Sequence, residues 1–271
     1  MRLFLLHIVC LASFANAQVT FVASDSIVGK YDHFSVDNLG RIYTVQSDVL
    51  VQFSANLDTL FTASLKSFRP SSIESTKSFR TLLFDDERSL IKFLDNTLTD
   101  HHEDIDLINL DIQQPLLVCE SFVGNGFWVL DVASSRLVKI DQNFNQILVT
   151  ENVLSFIQNQ SKSADLPIQM KESNDYLFIA VPKLGVLIFD AFGTYVNTYP
   201  TQPKRINCFG QHLMVLNDSN QLEIIPITQL LEPNFVYDVP ADVIDFYYSN
   251  SKVYFLRPGG VYIGAFKKPQ K

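Results

Sequence analysis

Short apolar stretches separated by polar or glycine-containing turns run along almost the whole chain. Residues 36–45, VDNLGRIYTV, show the pattern: an apolar residue leads into Asp-Asn-Leu-Gly, and Ile-Tyr-Thr-Val follows as an extended segment. Runs of four or five aromatic and β-branched residues between short turns are typical of β-strands, and helical spacing is almost absent. The sequence therefore predicts an all-β protein built from hairpins.

The hairpin pattern recurs along the chain. Further copies lie at residues 77–94 (a weaker version), 125–141, 174–190, 210–226 and 250–266. A proline stands shortly before the strand that leads into each of these later hairpins, at Pro70, Pro115, Pro167, Pro203 and Pro240. Proline suits the start of a strand, where its missing N–H costs least. Two markers with the same period predict six similar units.

A repeat of roughly 40 to 50 residues with four short strands per unit is typical of a β-propeller. We therefore predict a six-bladed β-propeller with four-stranded blades as a single domain over residues 18–271. Residues 18–24, QVTFVAS, precede the first unit, and we expect them to complete the last blade and close the ring. The long step from Pro115 to Pro167 leaves room for a short helix or a protruding loop at residues 151–166.

The first residues have the features of a secretory signal peptide. Arg2 precedes a short apolar run, and Ala15-Asn16-Ala17 provides a cleavage site, which predicts a signal peptide over residues 1–17. A retained anchor is the alternative, although the run is short for a membrane span of about 20 residues. No later segment is long and apolar enough to span a bilayer. We expect an exported protein, in the periplasm or outer envelope of a bacterium.

Composition narrows the class of protein further. The 271 residues are 47% hydrophobic and 18% charged, with a formal net charge of -8. This composition predicts a folded chain, and the acidic balance argues against binding of nucleic acid, which needs a basic face. After signal cleavage only Cys119 and Cys208 remain. Both lie in apolar, strand-like stretches, which favours two buried thiols over a disulfide.

Residues 36–45, followed by VLVQFSANLDTLFTAS, resemble a blade of the NHL and TolB-like six-bladed propellers. The other units resemble that blade more loosely. The resemblance implies the propeller fold for the whole mature chain. Members of this superfamily include exported scaffolds, ligand-binding modules and some hydrolases or lyases, and the fold does not choose between them.

Candidate ligand-binding residues lie in the inner strands, which would line the axial channel. Counting five residues beyond each proline gives Ser75, Glu120, Glu172, Cys208 and Asp245. Glu74 lies one place away from this column, Asn207 lies beside Cys208, and His33 occupies a comparable position in the first blade. These groups either bind a ligand or cap turns and bond to backbone, as buried polar groups normally do.

Two functional hypotheses follow. The first is a non-enzymatic propeller that binds or scaffolds a protein partner in the cell envelope, with no catalytic residues and no cofactor. The second is a calcium-dependent hydrolase, similar to propeller lactonases, with Glu120, Glu172 and Asp245 as metal ligands. No G-x-S-x-G, P-loop or H-E-x-x-H motif is present in the sequence. We favour the first hypothesis.

Overall fold

The computed structural model describes residues 19–66, 68–75, 80–100, 103–121, 124–161, 165–229 and 232–267. The predicted signal peptide and Gln18 lie outside these residues. The first strand, β1 (Thr20–Val28), belongs to the last blade. Blade 1 then contains β2 (His33–Val36), β3 (Ile42–Gln46), β4 (Val49–Phe53) and β5 (Thr59–Ser64). Blade 2 contains β6 (Ser72–Glu74), β7 (Arg80–Asp85), β8 (Leu90–Asp95) and β9 (Ile105–Asp106).

The remaining blades repeat this order. Blade 3 contains β10 (Pro115–Glu120), β11 (Phe127–Asp131), β12 (Arg136–Ile140) and β13 (Gln146–Thr150). Blade 4 contains β14 (Gln169–Ser173), β15 (Tyr176–Val181), β16 (Gly185–Asp190) and β17 (Tyr195–Tyr199). Blade 5 contains β18 (Pro203–Phe209), β19 (His212–Asn217), β20 (Gln221–Pro226) and β21 (Phe235–Asp238). Blade 6 contains β22 (Asp245–Ser249), β23 (Lys252–Arg257), β24 (Gly260–Lys267) and β1.

Each blade is an antiparallel sheet of four strands, and the ring closes through the chain termini. The strand order in blade 6 is β22-β23-β24-β1, so the N-terminal strand is the outermost strand of the last blade. Its register runs from Thr20 opposite Lys267 to Val28 opposite Gly260, with a bulge between Ala23 and Asp25. The predicted six-bladed propeller and its closing strand are both confirmed.

The hydrophobic core lies between the blades. Six clusters of buried apolar side chains each combine residues of two adjacent blades, and together they go round the ring. Between blades 3 and 4, for example, Trp128 packs with Leu177 and Ile179 and is fully buried. A fully buried large apolar side chain contributes about 1.5–3 kcal/mol, but only while the neighbouring blade covers it. Each blade therefore depends on both of its neighbours.

The predicted insertion after blade 3 contains a helix, α1 (Val153–Ser161). The hydroxyl of Ser135 accepts hydrogen bonds from the N–H groups of Leu154 and Ser155, at 3.0 and 3.2 Å, and so caps the helix N-terminus. Val153 and Ile157 are buried in the core between blades 3 and 4. No helix in the part of the chain that the structure describes is long and apolar enough to cross a membrane.

A five-residue turn recurs between strands. The side-chain oxygen of its first residue accepts hydrogen bonds from the N–H groups of the third and fifth residues, and the fourth residue has a positive φ angle. Within the described residues, five turns share this geometry, beginning at Asp37, Ser54, Asp95, Asp141 and Asp190. Their fourth residues are Gly40, Leu57, Leu98, Phe144 and Gly193, with φ between 61° and 79°.

Three of these turns place a large apolar residue where glycine is sterically preferred. Leu98 is only 6% exposed and packs in the core between blades 1 and 2. Leu57 and Phe144 are partly buried against neighbouring cores. Packing therefore offsets the backbone strain at these positions.

Because of this balance, glycine at position 98 should destabilise the protein less than alanine does, the opposite of the usual order. Leu98→Ala should lose about 2–4 kcal/mol of packing and keep the strained φ. Leu98→Gly should be more stable than Leu98→Ala by about 1 kcal/mol, because the strain is released. Urea unfolding of both variants measures the difference. The matched pair at buried Leu82 in β7, an ordinary strand position, should show the opposite order. A glycine variant at position 98 that is less stable than the alanine variant would contradict this account.

Candidate functional site

The first strand of each blade lies at the inner edge of its sheet, and together these strands surround the propeller axis. The pairing of the first two strands identifies equivalent residues in the six blades. In each blade, one residue of the first strand pairs with the residue three positions before the end of the second strand. These residues form the middle level, namely Ser35, Glu74, Cys119, Lys171, Asn207 and Tyr247. The upper level lies two residues earlier and consists of His33, Ser72, Leu117, Gln169, Arg205 and Asp245. The lower level lies one residue later and consists of Val36, Ser75, Glu120, Glu172, Cys208 and Tyr248.

The middle level is closed by a buried ion pair. The ammonium of Lys171 donates a hydrogen bond to Glu74 Oε1 at 2.6 Å. Lys171 belongs to blade 4 and Glu74 to blade 2, so both side chains reach past blade 3 into the axis. The other oxygen of Glu74 accepts the backbone N–H of Glu120 at 2.6 Å. All six residues of this level are buried.

The environment favours the charged form of Lys171. Burial by itself would lower the pKa of the Lys171 ammonium, but Glu74, together with Tyr247 and Cys119, raises that pKa above its usual value. Lys171 Nζ also lies 5.7 Å from the centre of the Tyr247 ring, which favours a cation. Burial, together with the negative charges of Glu74 and Glu172, raises the pKa of the Cys119 thiol. The axis is therefore blocked by a fixed charge pair beside an unreactive thiol.

The two carboxylates at the lower level are each bound by a cation. Glu120 Oε1 accepts a hydrogen bond from Arg80 Nε at 2.9 Å, and Glu172 Oε1 accepts one from Lys139 Nζ at 2.9 Å. Their side chains are only 2% and 1% exposed. Each cation comes from the preceding blade, so these ion pairs join blade 2 to blade 3 and blade 3 to blade 4. Lys139 Nζ also lies 4.8 Å from the centre of the Trp128 ring.

The upper level is more open than the middle level, because all six of its residues are half-buried. Arg205 Nε lies 3.9 Å from Asp245 Oδ1. Burial raises the pKa of the Asp245 carboxyl, and Arg205 opposes that effect. Burial lowers the pKa of His33, and the positive charge of Arg205 adds to this lowering. The negative charges of Asp32 and, more weakly, Asp86 oppose it. A histidine, an arginine and an aspartate therefore share this mouth of the channel.

The structure distributes the five predicted ligand-binding residues over three levels; they are His33, Glu120, Glu172, Asn207 and Asp245. Glu120 and Glu172 share the lower level with Ser75 and Cys208, as the proline count predicted. The count is wrong for Asp245, which lies three residues away at the upper level with His33. Asn207 lies at the middle level and donates a hydrogen bond to the carbonyl of Phe246 at 3.2 Å. Among the described residues, no group of three or more His, Cys, Asp or Glu side chains could hold a metal ion. That any of the five binds a ligand stays a prediction.

The cations of the site were not predicted from the sequence. Arg80, Lys139 and Lys171 neutralise the carboxylates of the inner strands, and each belongs to a different blade from its partner. The sequence contains one signal for Lys171. Lys171 stands directly before Glu172, just as Glu74 stands directly before Ser75, so the two residues occupy equivalent positions in their blades. The two remaining cysteines are free thiols, as predicted, although Cys208 is half-buried rather than buried.

A pocket of about 580 Å³ adjoins the upper level between blades 1 and 2. Its lining consists of Asp32, His33, Val45, Ser47, Asp48, Lys66, Arg69 and Pro70. His33 thus faces both the channel mouth and this pocket. The described part of the site therefore has a blocked axis, a half-exposed polar mouth and a charged pocket beside that mouth.

These features define the class of the protein as a six-bladed β-propeller, the fold that the resemblance to NHL and TolB-like propellers implied. No protein-family model matches the chain, and no curated protein matches it either. A streptogramin B lyase structure is similar with a TM-score of 0.59 and 12% identity, over 93% of this chain and 88% of that chain. BamB from Moraxella catarrhalis is similar with a TM-score of 0.53 and 10% identity, over 93% and 99%.

A third similar structure is BBS1N, solved in complex with ARL6DN. Its TM-score is 0.58 at 11% identity, over 85% of this chain and 76% of that chain. At such low identity these likenesses establish the propeller fold and leave the function open.

The buried ion pair gives a direct test of how the axis is closed. Lys171→Met leaves the Glu74 carboxylate buried without its cation, which should cost about 3–5 kcal/mol in the free energy of unfolding. The double variant Glu74→Gln/Lys171→Met should recover much of that loss, because no charge remains and the glutamine oxygen can still accept the Glu120 N–H. Lys183→Met is the control, since Lys183 pairs with Asp165 at the surface and such pairs contribute below about 1 kcal/mol. A Lys171 variant no less stable than the control would contradict this account.

Proposed function

We propose that the protein is an exported, non-enzymatic β-propeller that binds a protein partner in the bacterial cell envelope. The observation that carries this proposal is the chemistry of the outermost strands. These are β1, β5, β9, β13, β17 and β21, one in each blade. Each presents an edge whose backbone N–H and C=O groups can pair with another chain.

Proteins usually protect such edges with lysine, proline or inward-pointing charges. None of the six outer strands, within the bounds that the structure gives, contains a lysine, an arginine or a proline. Four of them pair with their neighbours through a bulge, which limits but does not remove the exposed edge. The outer rim therefore lacks the lysines, arginines and prolines that prevent pairing with another protein, and β5, β13 and β17 carry no charge at all.

Five of these strands also expose apolar side chains, two on each strand. They are Val22 and Val28, Leu60 and Phe61, Ile147 and Val149, Tyr195 and Val196, and Phe235 and Val236. Exposed fractions reach 58% at Ile147 and 83% at Val28. Backbone pairing provides affinity when a partner adds a strand, and alternate side chains provide specificity. An uncharged edge with exposed apolar residues satisfies both requirements.

Strand β5 is the preferred docking edge. Its six residues, TLFTAS, carry no charge, and five of them are exposed. The single aspartate in each of β1, β9 and β21 makes those edges less suitable. A protein partner is also the role printed for one similar structure, since BBS1N was solved in complex with ARL6DN.

The inner strands support a non-enzymatic role. Glu120 and Glu172 are bound by Arg80 and Lys139, and Glu74 is bound by Lys171. A carboxylate held by a buried cation has a weakened tendency to act as a base or to bind a metal. The calcium-dependent hydrolase stays a prediction, and no contact among the described residues favours it.

Site-specific photo-crosslinking in cells tests the proposal. A crosslinking amino acid at Phe61 should capture one discrete partner in the envelope fraction. The intact mass of the protein in that fraction should correspond to a chain that begins at Gln18. The same amino acid at exposed Asp218 or Lys252, away from the outer strands, is the control. Phe61→Lys combined with crosslinking at Leu60 should abolish capture without changing the thermal midpoint. Equal capture at the controls, or none from any outer strand, would refute the proposal.

A further inference from the structure

We propose that the pocket between blades 1 and 2 binds a small zwitterion, with a free ammonium and a free carboxylate as in an amino acid or a short peptide. The proposal does not depend on the outer-strand contacts. It rests on the arrangement of opposite charges around the pocket of about 580 Å³, a volume within the range of small-molecule sites.

The positive charges lie on one wall of the pocket. Lys66 and Arg69 belong to the segment that connects β5 to β6, and both are exposed. Neither forms an ion pair within 4.0 Å with any residue that the structure describes. Arg69 offers a planar guanidinium that can bind a carboxylate through two parallel hydrogen bonds. This wall is therefore suited to a ligand carboxylate.

The negative charges lie on the wall that blade 1 forms, next to the positive one, because the N–H of Leu65 binds the carbonyl of Asp48. Asp32 precedes β2, Asp48 lies in the turn between β3 and β4, and both are exposed. Within the described ranges neither carboxylate has a cation within 4.0 Å. Opposite charges that line one pocket and stay more than 4.0 Å apart leave room for a ligand that bridges them. A zwitterion can compensate both walls at once, whereas a simple anion or cation compensates only one.

Hydrogen bonds order the backbone around the pocket. Asp32 Oδ2 accepts the N–H of Ser47 at 2.8 Å, and the carbonyl of Asp48 accepts the N–H of Leu65 at 2.7 Å. On the other wall, Asp85 Oδ2 accepts the N–H of Arg69 at 3.0 Å. The floor is formed by buried Val45 and Pro70 beside His33. An ordered backbone loses less entropy when a ligand binds.

Three matched probes distinguish a zwitterion site from a site for one charge. Glycylglycine carries both charges, N-acetylglycylglycine lacks the ammonium, and glycylglycinamide lacks the carboxylate. Binding to the mature protein is measured by chemical-shift titration of amides in residues 45–48 and 65–69. Glycylglycine should bind, and each blocked probe should bind at least tenfold more weakly.

Variants connect the binding to the two walls. Arg69→Gln and Asp48→Asn should each weaken glycylglycine binding at least tenfold, and Lys252→Gln, on an exposed residue outside the pocket, should leave it unchanged. Thermal midpoints confirm that the variants are folded. The proposal is overturned if glycylglycine causes no shift at these amides, if either blocked probe binds as tightly, or if both wall variants bind normally.

Discussion

Closure of the ring is the constraint on which the rest of the structure depends. A single blade has two apolar faces, and each must be covered by a neighbour, so six interblade cores exist only while the ring is closed. Closure is achieved by pairing of β1 with β24. Gly260 and Gly264 of β24 permit this pairing, because a Cβ atom on either would lie 2.2 or 2.1 Å from a carbonyl oxygen of β1. The last blade therefore requires both ends of the chain.

A closed ring has three regions where a ligand or partner could bind, namely the axis, the upper mouth with its pocket, and the rim. Their side chains differ. The axis is blocked at its middle level by the Glu74–Lys171 pair, which also ties blade 2 to blade 4. The upper mouth and its pocket keep half-exposed and exposed charges, so they are suited to a small polar ligand. Three strands of the rim, β5, β13 and β17, carry no charge and expose apolar residues, so the rim is suited to a protein. The propeller thus presents two separate candidate surfaces on one rigid frame.

Local signals predicted the architecture well, because each blade repeats the same alternation and turn chemistry. The closing strand and α1 were also predictable, since both occupy segments that do not belong to any of the six repeated units. The position of Asp245 was not predictable from the proline count, because the prolines do not occupy equivalent positions: Pro115 begins β10, whereas Pro240 precedes β22 by a turn. The pairing of Glu120 with Arg80 was hidden for another reason, since it joins residues 40 positions apart on different blades.

Hydrogen–deuterium exchange in β24 tests the central claim most directly. If β1 closes the ring, β24 is an interior strand, and its amides should be as strongly protected as those of β12 and β16, the third strands of blades 3 and 4. Amides of the outer strand β5 should exchange faster and provide the internal comparison. Exchange in β24 as fast as in β5 would show that β24 is an open edge, and it would contradict the closed propeller.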